Sequence, residues 1–148
     1  MSAGYRRVVT GLDEQGRSSV IFDDRLSAPD GGTVIAWSTA LPVSNEGTAD
    51  TGNVPPSMDL LRGGTGFSIA RMEPGSSFPM HASNTIDYMF FLCGRITLIL
   101  ETGEVELGAG DLVVDRGILH GWRVEGAEPV TFVCVNVGAE PVGAGATI

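Results

Sequence analysis

From residue 66 onward the sequence is a succession of short apolar runs with no helical period. That pattern constrains the fold more than any other feature. Runs rich in β-branched and aromatic residues fall at 66–72, 77–81, 86–92, 95–101, 104–107, 111–114, 119–125 and 129–137. Each is bounded by glycine, proline or a small polar residue, the punctuation that ends strands and begins turns. No apolar 3.6-residue repeat is sustained for the three turns a helix needs; Met58–Arg62 offers one turn at most. The 21 glycines and 8 prolines supply the punctuation, and the predicted class is all-β, a sandwich or barrel.

Upstream, 18–23 and 33–38 read as two further strands around a Pro29-Asp30-Gly31-Gly32 turn, so residues 1–40 are predicted to hold N-terminal strands. A polar stretch at 42–59 is too long for an ordinary connection, and a lid over a site is one use for such a loop. The barrel core is predicted over 64–138, with a two-residue hairpin turn at Thr102-Gly103 and a loosely held tail at Val142–Ile148. At 148 residues and 15.5 kDa, residues 1–148 are read as a single domain.

Eighteen acidic residues face nine basic ones, for a net charge of −9, which disfavours nucleic acid and anionic membrane surfaces as partners. All nine bases are arginine. Without lysine the chain has no Schiff-base chemistry, no pyridoxal phosphate (PLP) anchor and no P-loop, and no nucleotide cofactor is expected. No run approaches 18 apolar residues, and no apolar signal region follows the first residues, so a cytoplasmic protein is expected. Cys93 and Cys134 sit in apolar runs and read as buried free thiols.

The candidate chemistry centres on the two histidines, His81 and His120. On an extended strand alternate side chains share a face, which groups His81 with Ser83 and, if the segment stays extended, Asp87; Met89 and Phe91 continue that face inward. Trp122 shares the parity of His120. Polar side chains projecting into an apolar interior need a metal, a substrate or mutual hydrogen bonds to offset their desolvation. Asp87, among Tyr88, Met89 and Phe90, is a candidate acid or base with a raised pKa; a strand-end aspartate bonding backbone amides is the competing reading. Arg71 alternates with Ile69 and Phe67; facing inward it would clamp a substrate carboxylate or phenolate, and facing solvent it would be one more ion-paired arginine. Phe78, Phe91 and Trp122 as lining suggest an apolar or aromatic small-molecule substrate.

These residues carry a family resemblance. Gly75-x5-His81-x-Ser83-x3-Asp87-x6-Gly94 resembles the first cupin motif, G-x5-H-x-H-x3-E-x6-G, and Gly110…Gly117-x2-His120 resembles the second. The resemblance implies a cupin-type double-stranded β-helix, the jelly-roll barrel, and a homodimer formed by exchange at sheet edges. It also implies a divalent metal (Fe, Mn, Ni, Co or Zn) on His81, Asp87 and His120. The sequence departs from the family pattern at several points: Ser83 replaces a ligand histidine, Asp87 replaces glutamate, and Asp115-Arg116 stand where a proline is usual. Serine is a poor ligand for a divalent cation, and aspartate is shorter than glutamate by roughly one C–C bond, about 1.5 Å. The resulting expectation is a small-molecule enzyme with metal-assisted chemistry of oxygenase, lyase or isomerase type on a carbonyl or enol-type substrate. The alternatives are a metal-free His/Asp isomerase, dehydratase or decarboxylase, and a non-catalytic binding cupin.

Overall fold

The computed structural model describes residues 5–12, 14, 18–28, 32–40, 42, 47–55 and 63–140. Their regular structure is all strand: β1 (Tyr5–Leu12), β2 (Ser18–Leu26), β3 (Val34–Ala40), β4 (Gly64–Met72), β5 (Ser77–His81), β6 (Thr85–Cys93), β7 (Arg95–Leu100), β8 (Gly103–Gly108), β9 (Leu112–Asp115), β10 (His120–Arg123) and β11 (Val130–Gly138). β1 and β2 form a hairpin. The others make an antiparallel four-stranded sheet, β5-β10-β7-β8, and an antiparallel five-stranded sheet, β3-β4-β11-β6-β9.

The two sheets close on an apolar core. Met89 and Phe91 from β6, with Val130 and Cys134 from β11, pack against Ile96 of β7, Trp122 of β10 and Val124. Phe91 and Trp122 meet across the sheets with ring centroids 6.3 Å apart, and Phe132 stands 5.3 Å from Phe91. This is the predicted jelly-roll barrel: each sheet turns one face inward, with side chains of period two filling the space between.

The strand predictions from residue 18 onward match the observed elements to within a few residues. Three points differ. Within the predicted N-terminal strands of residues 1–40, Tyr5–Leu12 is a strand beyond the two given ranges, and Arg6 and Arg7 beside two valines obscure its alternation. Arg7 is nonetheless 6% exposed, bonded to both oxygens of Asp24 (2.9 and 2.6 Å) and both of Asp50 (2.8 and 2.9 Å). The β7–β8 turn is Glu101-Thr102, one residue earlier than predicted, since Leu100 pairs with Gly103. Cys93 is exposed rather than buried, at the end of β6; Cys134 is buried, and burial pushes its thiol up to about 12. Residues 29–31, Met58–Arg62 and Val142–Ile148 lie outside the described residues.

Of the 42–59 stretch, the described part lies along β3. The Asn53 amide donates to the Ile35 carbonyl at 2.9 Å. Thr51 and Ser38 exchange three hydrogen bonds of 2.6, 2.9 and 3.3 Å. The segment therefore satisfies backbone groups that an edge strand would otherwise present to solvent.

Candidate functional site

Two cross-strand rows, one in each sheet, build the site. In the four-stranded sheet His81 of β5 lies directly opposite His120 of β10. In the five-stranded sheet Asn136, Asp87 and Asp115 pair in register across β11, β6 and β9. Cross-strand partners project to the same face. Burial shows which face that is: Asp115, His120 and Asn136 are buried, and Asp87 and His81 are half-buried. Asp115 and His120 join the rows, with Oδ2 2.9 Å from Nδ1.

The two imidazole rings stand 4.3 Å apart between centroids. In each, Nδ1 lies 2.8 Å from a backbone carbonyl two residues upstream, Pro79 for His81 and Ile118 for His120. A carbonyl oxygen only accepts, so Nδ1 carries the hydrogen in both rings, and Nε2 is the nitrogen left for chemistry. Phe78 packs edge-on to His81 at 4.8 Å, and Trp122 edge-on to His120 at 5.7 Å.

The rings sit in opposed electrostatic settings. Burial holds the His81 pKa below the ordinary histidine value, with repulsion from His120 adding to it, against the pull of the Pro79 carbonyl and the carboxylates. Burial also opposes charge on His120, but Asp115, the Ile118 carbonyl and Asp87 outweigh it and hold its pKa above the ordinary value. Asp87 is pushed up by burial and by the neighbouring Asp115, against hydrogen bonds from Thr85 and Asn136, whose Nδ2 donates to Oδ1 at 2.8 Å.

Asp115 is the functional candidate that sequence reasoning missed. Its side chain is 3% exposed, and Oδ1 accepts the Gly117 amide at 2.8 Å. The Nδ1–H of His120 is directed at Ile118, so Oδ2 has close ionic contact but no well-aligned hydrogen bond. A buried carboxylate oxygen in that position calls for a partner. The turn that places it depends on Gly117, with φ of +75°, where a Cβ would come 2.5 Å from the Ser83 carbonyl oxygen. The signal available in sequence was the aspartate five residues before His120, at the position where the family pattern has a proline.

The structure distributes the other predicted residues as follows. Ser83 is buried and its Oγ accepts from Thr85 at 3.0 Å, so it is occupied within its own turn. Met89 and Phe91 belong to the packed core, and Phe78 stands at the exposed rim beside His81. Arg71 is a correction. It shares the outer face of β4 with Phe67, which is 51% exposed, and pairs with Glu73 at 2.8 Å, so it cannot clamp a substrate between the sheets. The inner face of β4 is instead Gly66, Ser68 and Ala70, all buried.

A metal centre on His81, Asp87 and His120 needs all three donors around one ion. Among the described residues no group of three or more His, Cys, Asp or Glu side chains is placed to hold one. The imidazoles come together, but Asp87 is held in the opposite sheet by Asn136 and Thr85. As arranged, the set does not fit a three-ligand centre.

Residues 68–136 match the family model described as Cupin domain. Over 72 residues the chain is 40% identical to phomopsin biosynthesis cluster protein D of Diaporthe leptostromiformis, covering 48% of this chain and 38% of that protein. Over 59 residues it is 41% identical to the cupin-domain-containing oxidoreductase srdD of Neurospora crassa, covering 37% and 30%. The chain thus spans less than two-fifths of the length of these curated relatives. Among solved structures it is similar to the polyketide cyclase RemF of Streptomyces resistomycificus, with 22% identity, 57% and 61% coverage and a TM-score of 0.48. It is also similar to a cupin 2 conserved barrel domain protein of Salinispora arenicola, with 22% identity, 51% and 64% coverage and a TM-score of 0.46. No helix among the described residues is long and apolar enough to cross a membrane.

Proposed function

The chain carries a cupin domain over residues 68–136, and from that premise we propose that it moves protons on an apolar carbonyl or enol-type small molecule between its two sheets. One observation carries this reading: His81 and His120 are cross-strand neighbours 4.3 Å apart whose surroundings bias them in opposite directions. Paired groups with diverging proton affinities divide into a base and an acid. His81, held neutral, presents an Nε2 lone pair and takes a proton from carbon alpha to a carbonyl. His120, whose proton Asp115 and the Ile118 carbonyl hold more tightly than that of a free imidazole, gives its Nε2 proton to the carbonyl oxygen as the enol forms. Reversal of both transfers returns a ketone with the proton replaced, which is the common step of isomerases, dehydratases and cyclases. Phe78 and Trp122 flank the pair and favour a flat, apolar substrate. The name of the Diaporthe relative, a biosynthesis cluster protein, supports a biosynthetic setting.

The test is deuterium incorporation. The purified chain is incubated in D2O with a panel of aryl 1,3-diketones and β-keto esters, and exchange at the alpha carbon is followed by NMR. Enzyme-dependent exchange is expected with at least one probe, falling by about 100-fold or more in His81→Gln and His120→Gln. Stoichiometric bound metal, with exchange abolished by its removal, would replace this reading with the metal-assisted one. Binding of probes without exchange would replace it with a non-catalytic binding cupin.

A further inference from the structure

The two walls of the site differ in charge. The four-stranded sheet contributes the histidine pair with Phe78 and Trp122. The five-stranded sheet faces them with two carboxylates, Asp87 and Asp115, in register on the neighbouring strands β6 and β9. Even a fully protonated His120 answers only one of the two, and the one it touches is Asp115, at 2.9 Å. Asp87 is held by neutral groups, the Asn136 amide at 2.8 Å and Thr85, and has no ion-pair partner among the described residues. The described arginines lie elsewhere. Arg7 is closed off by Asp24 and Asp50, Arg71 pairs with Glu73 on the outer face of β4, and Arg123 pairs with Glu104 and Glu125. Arg25 belongs to the β1–β2 hairpin, and Arg95 opens β7 at the end away from Leu100, the partner of His120. Arg116 is exposed, with the parity opposite to that of Asp115. The charges felt most strongly by His81, Asp87 and His120 are those of one another and of Asp115.

We propose, resting on the proton-transfer reading above, that this wall selects the substrate by charge. The site takes keto compounds whose carboxyl is masked as an ester, amide or lactone, and Asp87 is the residue that turns the free acid away. A substrate lying between two sheets about 10 Å apart stands within about 10 Å of Asp87. At an effective dielectric of about 20, one unit charge at that distance weakens binding of a like charge by about 15-fold. A substrate carboxylate has nothing to offset that repulsion. Its natural bidentate partner is an arginine, and no described arginine faces the site. The net charge of −9 repels anions on approach as well. An ester, amide or lactone carbonyl brings no charge and keeps the acidic alpha C–H that His81 attacks.

Three ethyl aroylacetates that differ only at the para position test this: one bears a carboxamide, one a carboxylate, and one an aminomethyl group that is cationic at about pH 8. Calorimetric titration of the full chain at that pH is expected to show the carboxamide bound at least about 15-fold more tightly than the carboxylate. The aminomethyl probe is also expected to bind more tightly than the carboxylate. A cavity that only resists desolvation rejects both charged probes alike, so equal binding of those two overturns the proposal. Asp87→Asn keeps an Oδ1 acceptor for Asn136, and in it the carboxamide-to-carboxylate ratio is expected to shrink by about 10-fold or more. Glu106→Gln, at an exposed position of β8, is expected to leave the ratio unchanged. A ratio near one in the wild type, or an undiminished ratio in Asp87→Asn, overturns the proposal. Deuterium exchange at the alpha carbon separates it from the reading beneath it. Charge-selective binding without exchange removes the proton-transfer role and upholds the selection by charge. Equal exchange rates for carboxamide and carboxylate uphold the proton transfer and overturn the selection. Failure of all three probes to bind overturns both.

Discussion

Replacing Asp115 by asparagine keeps the shape of the side chain and removes one charge 2.9 Å from His120 Nδ1. The Oδ1 acceptor for the Gly117 amide survives in the amide, so the change isolates the ionic part of the contact. Two unit charges about 4 Å apart in an effective dielectric of about 20 attract by about 4 kcal/mol. Burial of His120 offsets part of that, leaving the about 1.5–3 kcal/mol usual for a hydrogen bond or contact to a charged partner. His120 has a pKa raised in the folded protein, so its stabilisation is fully present below the unfolded value and is lost as pH rises through the folded one. His81 runs the other way: its folded pKa is depressed, so falling pH favours the unfolded chain, and loss of the Asp115 charge, which supports the His81 proton, adds in the same direction to the cost at low pH. Urea unfolding of wild type and Asp115→Asn at about pH 5.5 and about pH 9 measures the effect. The substitution is expected to cost about 1.5–3 kcal/mol more at the lower pH. An equal cost at both values, or a larger cost at the higher one, would show that Asp115 does not hold the charge on His120.

Arg7→Met removes the cation shared by Asp24 and Asp50, two carboxylates that are 41% and 35% exposed and can rehydrate. The expected cost is about 1–3 kcal/mol, concentrated in the hairpin, and hydrogen exchange should rise at β1 and β2 amides while Phe91 and Val130 stay protected. Gly117→Ala forces a Cβ to 2.5 Å from the Ser83 carbonyl oxygen at a left-handed φ of +75°. A loss of about 1–3 kcal/mol is expected, with shifted His120 ring resonances by NMR because the turn also positions Asp115; unchanged resonances would detach the turn from the site.

Much of the barrel was legible because strand signals are local. Gly/Pro punctuation and period-two alternation located the strands from 18 onward, and the motif spacing drew attention to both histidines, which the structure makes cross-strand neighbours. Asp115 was not legible, because its importance comes from pairing β9 with β6 and from the turn at Gly117 that returns the chain to the other sheet. The β9–β6 pairing leaves no pattern near Asp115, and Gly117 two residues on marks a turn without showing which side chain that turn carries inward. Arg7 failed for a related reason. A buried arginine is explained by Asp24 and Asp50, 17 and 43 residues away, and without them it reads as a surface charge that breaks a strand.

Arg71 shows how far a single parity choice extends. Its inward placement depended on Phe67 and Ile69 facing the core, a sound assumption for a sheet with one wet face. In this sheet both faces are apolar, so hydrophobicity alone cannot say which parity points inward. The inner parity of β4 is set by small residues, Gly66, Ser68 and Ala70, which leave room for Phe132, Cys134 and Asn136 of β11 and for the rings of the opposite sheet. β6 obeys the same logic: Asp87, Met89 and Phe91 turn inward while Tyr88, Phe90 and Leu92 turn out. A slip of one residue in its pairing would carry Asp87 to the outer face and separate it from Asn136 and Asp115. The apolar outer face does not protect against that slip, since both parities of β6 are greasy. The polar row does, because Asp87 inside has Asn136 to bond and His120 to attract it, and outside it has neither. The carboxylates and histidines that make the site therefore also specify the register that assembles it.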